Sequence, residues 1–416
     1  MNSAIAALIG LALAIILIIR KIPPVFALFL GAIAGGLLSG WGMQTTVTEM
    51  VSGVKDITPA IVRILAAGVL SGMLVVTGAA ESIAATIIKR LGAKQIYLAL
   101  ALSAMLLCAA GVFIDVAVIT IAPVALMLGS RSGAPLPKLM LAMIGGGKCG
   151  NIISPNPNTI VAAENFGAQL QSVMLANFIP AVIGLAITVW LIIPLMPGRK
   201  SPVAAAADNS AGAEKDLPSF LASVSGPLVA VLLLALRPLF DISIDPIVAL
   251  PAGGLFGLIA TGKWRKTLES LRYGLEKMSP VAVLLVGTGA IAGIIKASSI
   301  TTEIVGLLNG WGAGALLAPV AGILMCAATA STTAGATIAS ASFSGAILGT
   351  GIAPVSAAAL VNASCTVLDH LPHGSFFNAT GGCVGMSVPE RMRLIPYETL
   401  VGLALTLLSF LLYQVF

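Results

Sequence analysis

A few titratable residues stand where an apolar chain can least tolerate them. Lys148 lies within "GGGKCGNIISPNPNTI" (145–160), and Asp369, His370 and His373 lie within "DHLPHGSFFNATGG" (369–382). Both stretches place Pro and Gly among polar groups inside otherwise hydrophobic sequence, so both read as interrupted helices. A lysine in lipid is costly unless it is paired or wetted. Beside the N-termini of two half-helices, Lys148 could bind a carboxylate; the alternative is a structural ion pair with an acid such as Asp369. A carboxylate held in low dielectric takes up a proton more readily, which makes Asp369 and Asp115 candidates for handling a coupling ion. His370 and His373 are the only histidines and flank Pro372, a placement suited to proton handling or substrate contact. No further ligand cluster accompanies them, so no metal site is expected.

Around these groups lie hydrogen-bonding side chains. Asn151, Ser154, Asn156, Asn158, Thr159 and Asn378 could contact hydroxyls on a substrate or cap the broken helices. The segment "CAATASTTAGATIASAS" (326–342) crowds Thr329, Ser331, Thr332 and Thr333 into one short run, able to donate to an anion or to coordinate a cation. "GGGKCG" lacks the GxxxxGK[ST] spacing of a nucleotide-binding loop. No catalytic triad and no cofactor motif is present.

The elements that must position these groups follow from composition. Of 416 residues, 58% are hydrophobic and only 9% charged, against roughly 25% charged in soluble domains. This is a multispanning, all-α membrane protein. Its net charge of +6 therefore marks cytoplasmic loops and not nucleic acid binding. The first apolar run is followed by Arg20 and Lys21, with no cleavage-site pattern, and reads as a first span. The five cysteines show neither CxxC nor metal spacing and read as small buried residues. Spans are expected near 3–20, 23–41, 58–78 and 172–195. The stretch 95–128 must begin and end on the same basic side, so it is a hairpin bent near Gly111. Arg63, Glu164, Arg237 and Lys296 fall near span ends and read as snorkelling side chains. The basic, amphipathic run 264–278 reads as a helix on the cytoplasmic surface.

Residues 197–218, "PGRKSPVAAAADNSAGAEKDLP", are polar and aperiodic, a cytoplasmic linker between two halves. The halves correspond at an offset close to 220 residues: 22–40 with 244–262, 105–111 with 323–329, and 132–151 with 350–365. Loop charge reverses between them. The loop before residue 58 is poor in positive charge whereas its equivalent, 262–277, is strongly basic, and the equivalent of Arg20/Lys21 is the acidic "FDISID" (240–245). Opposite bias on matching segments predicts two inverted-topology repeats, 1–196 and 219–416, each with about five spans, one hairpin and one broken helix. Matching interruptions in inverted halves are the sequence mark of a transport site.

With these motifs in hand, the chain resembles the gluconate permease family, in its hydroxybutyrate-permease branch, within the ion transporter superfamily. "TVLDHLPHGSFFNATGG" (366–382) and "ATASTTAGATIA" (328–339) carry the resemblance, while Lys148 departs from it. The resemblance implies transport of gluconate and related sugar acids, D-serine or 3-hydroxybutyrate, usually with protons. It implies a homodimer in the bacterial inner membrane, with a static scaffold (1–94 and 219–296) and a sliding unit of hairpins and broken helices (95–165 and 312–382). The expectation is an elevator-type secondary transporter, not an enzyme, that carries a small hydroxylated carboxylate by proton symport. The rivals are a Na⁺-coupled dicarboxylate carrier or Na⁺/H⁺ antiporter of the same superfamily, an intramembrane hydrolase using Asp369 and His370, and a channel.

Overall fold

The computed structural model describes residues 2–92, 95–197, 217–240, 242, 244–300, 302–303 and 314–413. Most of the linker at 197–218 falls outside the described residues. No strand occurs among the described residues. The chain opens with α1 (Ser3–Ile19), α2 (Pro24–Leu38), the long α3 (Met43–Val76) and α4 (Ala79–Leu91). There follow α5 (Ile96–Ala109), α6 (Ile114–Ser132), α7 (Leu136–Asn151), α8 (Pro157–Asn165), α9 (Leu170–Ala176), α10 (Phe178–Ile187) and α11 (Ile193–Leu195). A π turn at Thr188–Ile192 joins the last two. The second part comprises α12 (Phe220–Phe240), α13 (Pro246–Ala260), the long α14 (Thr267–Ala297), α15 (Leu317–Thr329) and α16 (Thr332–Gly349). It ends with α17 (Pro354–Ser364), α18 (Ser375–Gly382), α19 (Val388–Met392) and α20 (Ile395–Leu412).

Four helical stretches are long and apolar enough to cross a membrane: 43–76, 170–195, 264–297 and 388–412. Large apolar side chains stay exposed along the outer helices, among them Phe26, Leu191, Leu221 and Ile259. In water such a surface would drive association; lipid tails cover it without penalty.

The expected hairpin is present. α5 ends at Ala109, the chain reverses through Gly111 at φ +104°, and α6 returns. That backbone conformation suits only a residue without a Cβ. A second hairpin joins α15 to α16 at Ala330–Ser331, where the Ser331 hydroxyl accepts from the Ala334 N–H and caps α16. Both interrupted helices are present too. α7 stops at Asn151 and resumes as α8 at Pro157, while α17 stops at Ser364 and α18 starts only at Ser375.

Two expectations change. Residues 43–57 are not a loop before a span but the first half of α3, continuous through Pro59. Residues 267–278 are not a separate surface helix but the first half of α14, continuous through Pro280. The reason is packing. α3 and α14 cross antiparallel at glycines, Gly53 against Gly289 and Gly293, and Gly68 and Gly72 against Gly274 and Ser270. This long, close contact holds the polar halves of both helices in helical form despite their weak hydrophobic signal.

Candidate functional site

The two hairpin tips, the two breaks and α14 converge on one cavity of about 340 Å³, inside the range of roughly 300–1,000 Å³ typical of small-molecule sites. Its walls are Phe113–Val116 at the start of α6, Asn151 at the first break, Ala330–Thr333 at the second hairpin tip, Asp369, Ser375 and Phe376 at the second break, and Lys277, Pro280 and Val281 of α14. Three helices begin here. α16 is capped by Ser331, whereas α6 and α18 start without a side-chain cap. Their first-turn N–H groups and positive dipole ends favour an anion.

Behind the cavity wall lies a buried ionic network. The Lys148 ammonium is fully buried and donates to Asp369 Oδ1 at 2.5 Å, to the Thr366 carbonyl, and to His370 Nδ1 at 2.9 Å. His370 Nδ1 also lies 3.1 Å from Asp369 Oδ1, so it stands between the ammonium and the carboxylate. A carbonyl only accepts, so Nε2 carries a proton and donates to the Ile395 carbonyl at 3.1 Å, with Thr399 Oγ1 equally near. The other Asp369 oxygen accepts from the Thr332 hydroxyl at 2.7 Å. Asp369 thus links the buried network to the cavity that it lines. Glu398 lies 3.8 Å from His370 Nδ1 and is itself held in a buried bidentate pair with Arg391, whose guanidinium stacks over the Phe377 ring at 4.9 Å. The cluster sets two basic side chains, Lys148 and Arg391, against two acidic ones, Asp369 and Glu398, with His370 between them.

Asparagines tie the breaks together. The carbonyl of Ile152, freed where α7 ends, accepts from Asn362 at 3.2 Å and from Asn177 at 3.5 Å. Asn158 donates to Asn362 Oδ1 at 2.7 Å, and Asn362 donates to Thr159 Oγ1 at 3.1 Å. Ser409 in turn donates to Asn177 Oδ1. Buried backbone that leaves a helix must find such partners.

The structure brings Asp115, Asn151, Ser331, Thr332, Thr333 and Asp369 together around the cavity. Lys148 and His370 lie directly behind Asp369. Asn158 and Thr159 serve the joint between the breaks, as do Ser154, which donates to the Asn151 carbonyl at 2.8 Å, and Asn156, which donates to Asn151 Oδ1 at 2.8 Å. Asn156 Oδ1 is buried without a partner. Thr329 bonds back to the Met325 carbonyl, His373 is exposed, and Asn378 bonds the Gly374 carbonyl, all away from the cavity lining. Lys277 is the cavity cation that sequence reasoning passed over. It sits opposite the hairpin tips with its Nζ 5.6 Å from the Tyr273 ring centre. Near the span ends, Arg63 is shared between Glu164 of α8 and Asp245, the N-cap of α13, and Lys296 pairs with Asp56 at 2.7 Å.

Among the described residues no cluster of His, Cys, Asp and Glu could hold a metal ion. Helices interrupted in pairs around a polar cavity, within an apolar all-helical body, define a multi-pass membrane transporter. The chain belongs to the GntP permease family, whose model, described as GntP family permease, matches residues 3–254. A model described as Na⁺-H⁺ antiporter family matches residues 222–311. The chain is 50% identical over 415 residues to an uncharacterized transporter of Haemophilus influenzae, covering 100% of this chain and 99% of that protein. It is 27% identical to a gluconate permease of Pseudomonas aeruginosa, over 80% of each chain. Its fold is similar to that of the YdaH transporter of Alcanivorax borkumensis, with a TM-score of 0.60 over 90% of this chain and 89% of that one at 15% identity. The family is one of permeases and not of enzymes.

Proposed function

We propose that the protein is a secondary transporter of the bacterial inner membrane that couples proton uptake to import of a small hydroxylated carboxylate, such as a gluconate-like sugar acid or 3-hydroxybutyrate. The observation that carries this reading is the cavity where both hairpin tips and both breaks meet, lined by one cation, two carboxylates and a row of hydroxyl and amide groups. The substrate carboxylate lies against Lys277 and the N-termini of α6, α16 and α18. Its hydroxyls meet Asn151, Thr332 and Thr333. Asp369 is the proton acceptor, reached from the cavity; the Lys148 ammonium at 2.5 Å favours its charged form against the effect of burial, so it takes up a proton only when that pair opens. The related gluconate permease supports the substrate class.

The architecture is two inverted repeats, 1–196 and 219–416, acting as a homodimer. Hairpins and broken helices slide as one unit along a scaffold built on α3 and α14. The reciprocal glycine contacts of those two helices support this reading, because Gly53, Pro59, Gly68 and Gly72 recur as Gly274, Pro280, Gly289 and Gly293 at one constant spacing. Two antiparallel helices that contact each other through equivalent positions are related as the halves of an inverted repeat are.

The test is uptake of labelled gluconate and 3-hydroxybutyrate into proteoliposomes under an imposed pH gradient or an imposed Na⁺ gradient, with Asp369→Asn beside the wild type. Uptake driven by the pH gradient and lost in the variant is expected. The second reading, coupling to Na⁺, is favoured by the match of 222–311 to an antiporter family and by the hydroxyl-rich tip at 329–333. Uptake driven by Na⁺ alone would replace the first reading with the second.

A further inference from the structure

At the spacing that relates the glycines of α3 and α14, Asp56 is the counterpart of Lys277. The two residues line different cavities. Lys277 faces the site between the hairpin tips, whereas Asp56 lines a second cavity of about 400 Å³, together with Glu164, Lys296, Ser342 and Ser344. The cavities share two walls. The first uses the Lys277 region of α14 and the start of α16; the second uses Gly289–Lys296 of α14 and Ala341–Leu348 of α16. They lie roughly 20 Å apart along these helices at ~1.5 Å per residue. The second cavity is polar enough to take a ligand, and the Ser342 hydroxyl beside it is buried without a partner.

We infer that Lys277 and Asp56 are the two scaffold charges that the carried anion meets in turn, a cation in the arrangement seen here and a carboxylate in the alternate one. The inference rests on the inverted-repeat reading above. Exchanging the halves of such a repeat carries each scaffold position into its counterpart. The wall formed by Lys277, Pro280 and Val281 then becomes one formed by Asp56, Pro59 and Ala60. The ligands on the hairpin tips and breaks travel with the substrate, but the scaffold wall does not. A carboxylate is therefore held beside a cation at one end of its path and beside a like charge at the other, where the Asp56–Lys296 pair softens the repulsion without reversing it. Sequestration on one side and release on the other follow from fixed scaffold charge, independent of the coupling ion.

The test has two arms in the full-length chain, in a Cys383→Ser background because the other cysteines are buried. In the first, Thr333→Cys is combined with Lys277→Cys or with Asp56→Cys, and membranes are treated with a short bifunctional thiol reagent. Both pairs are expected to cross-link; absence of the Thr333–Asp56 product under all gradients overturns the inference. In the second arm, half-saturation for labelled gluconate is measured from each face of oriented proteoliposomes. Lys277→Gln is expected to raise it at least tenfold at one face, and Asp56→Asn to lower it several-fold at the opposite face. Equal changes at both faces would overturn the inference. If the wild type moves no gluconate, the substrate assignment falls and the cross-links alone decide. If gluconate is carried but the Thr333–Asp56 product never forms, the inference falls and the transport reading stands.

Discussion

Lys148 is the residue on which the interior depends. Its ammonium meets three groups, and all three belong to the segment 366–370 across the break. Removing one partner of a buried pair leaves the other charge uncompensated, at a cost of about 3–5 kcal/mol. Lys148→Met is therefore expected to lower the melting temperature in detergent sharply. Lys148→Met combined with Asp369→Leu is expected to recover most of that loss while uptake stays abolished. This double variant separates holding the fold from handling the proton. The sequence exposed both residues, because a lone lysine and a lone aspartate in apolar surroundings are conspicuous. It did not reveal that the ammonium turns away from the cavity. That direction depends on how the second break folds over α7, which is a tertiary fact. Lys277 escaped for the opposite reason: in "WRKTLESLRYGLEK" it is one basic residue among several, and only the continuity of α14 through Pro280 places it on the cavity wall.

At the scale of elements, close backbone approach decides which helices exist. A Cβ at Gly53 would run into the Gly289 carbonyl, and one at Gly146 into the Ala101 carbonyl that joins α7 to α5. Overpacking of this kind costs about 1–3 kcal/mol. Gly53→Val and Gly146→Val are each expected to reduce thermal stability, whereas Gly42→Ala, which meets nothing within 4 Å and changes only the N-cap of α3, is expected to reduce it far less. Hairpins and breaks were legible in the sequence because Gly, Pro and polar side chains mark them directly. The first halves of α3 and α14 were not. "TTVTEMVSGVKDI" carries no span-length apolar run, and its helical state is fixed by a partner more than two hundred residues away.

At the scale of the molecule, Arg63 joins three elements, bridging α3 to α8 through Glu164 and to α13 through Asp245. The Arg63 hydrogen bonds hold the Asp245 carboxyl below the usual carboxylate range, with partial burial opposing and the Ile247 N–H and the Arg63 charge assisting. A carboxyl depressed in the folded state contributes stability that is complete above its unfolded pKa of about 3.9 and is lost as pH falls through the folded value. The wild type is thus expected to lose more thermal stability than Asp245→Asn as pH is lowered from about 5 toward 3. At neutral pH the variant is expected to be the less stable of the two. Melting curves across that window check both statements.

The Lys148–Asp369 pair also sets the order in which the protein can be made. The lysine leaves the ribosome 221 residues before the aspartate that neutralises it, and placing a lysine mid-membrane costs on the order of 2.5–3.5 kcal/mol during insertion. Until residue 369 is made, the nascent chain carries that cost within the glycine-rich stretch Gly145–Gly150. Only when the segment around residue 369 enters the bilayer does the early half acquire its counter-ion. The burial of the lysine therefore waits on a segment made 221 residues later.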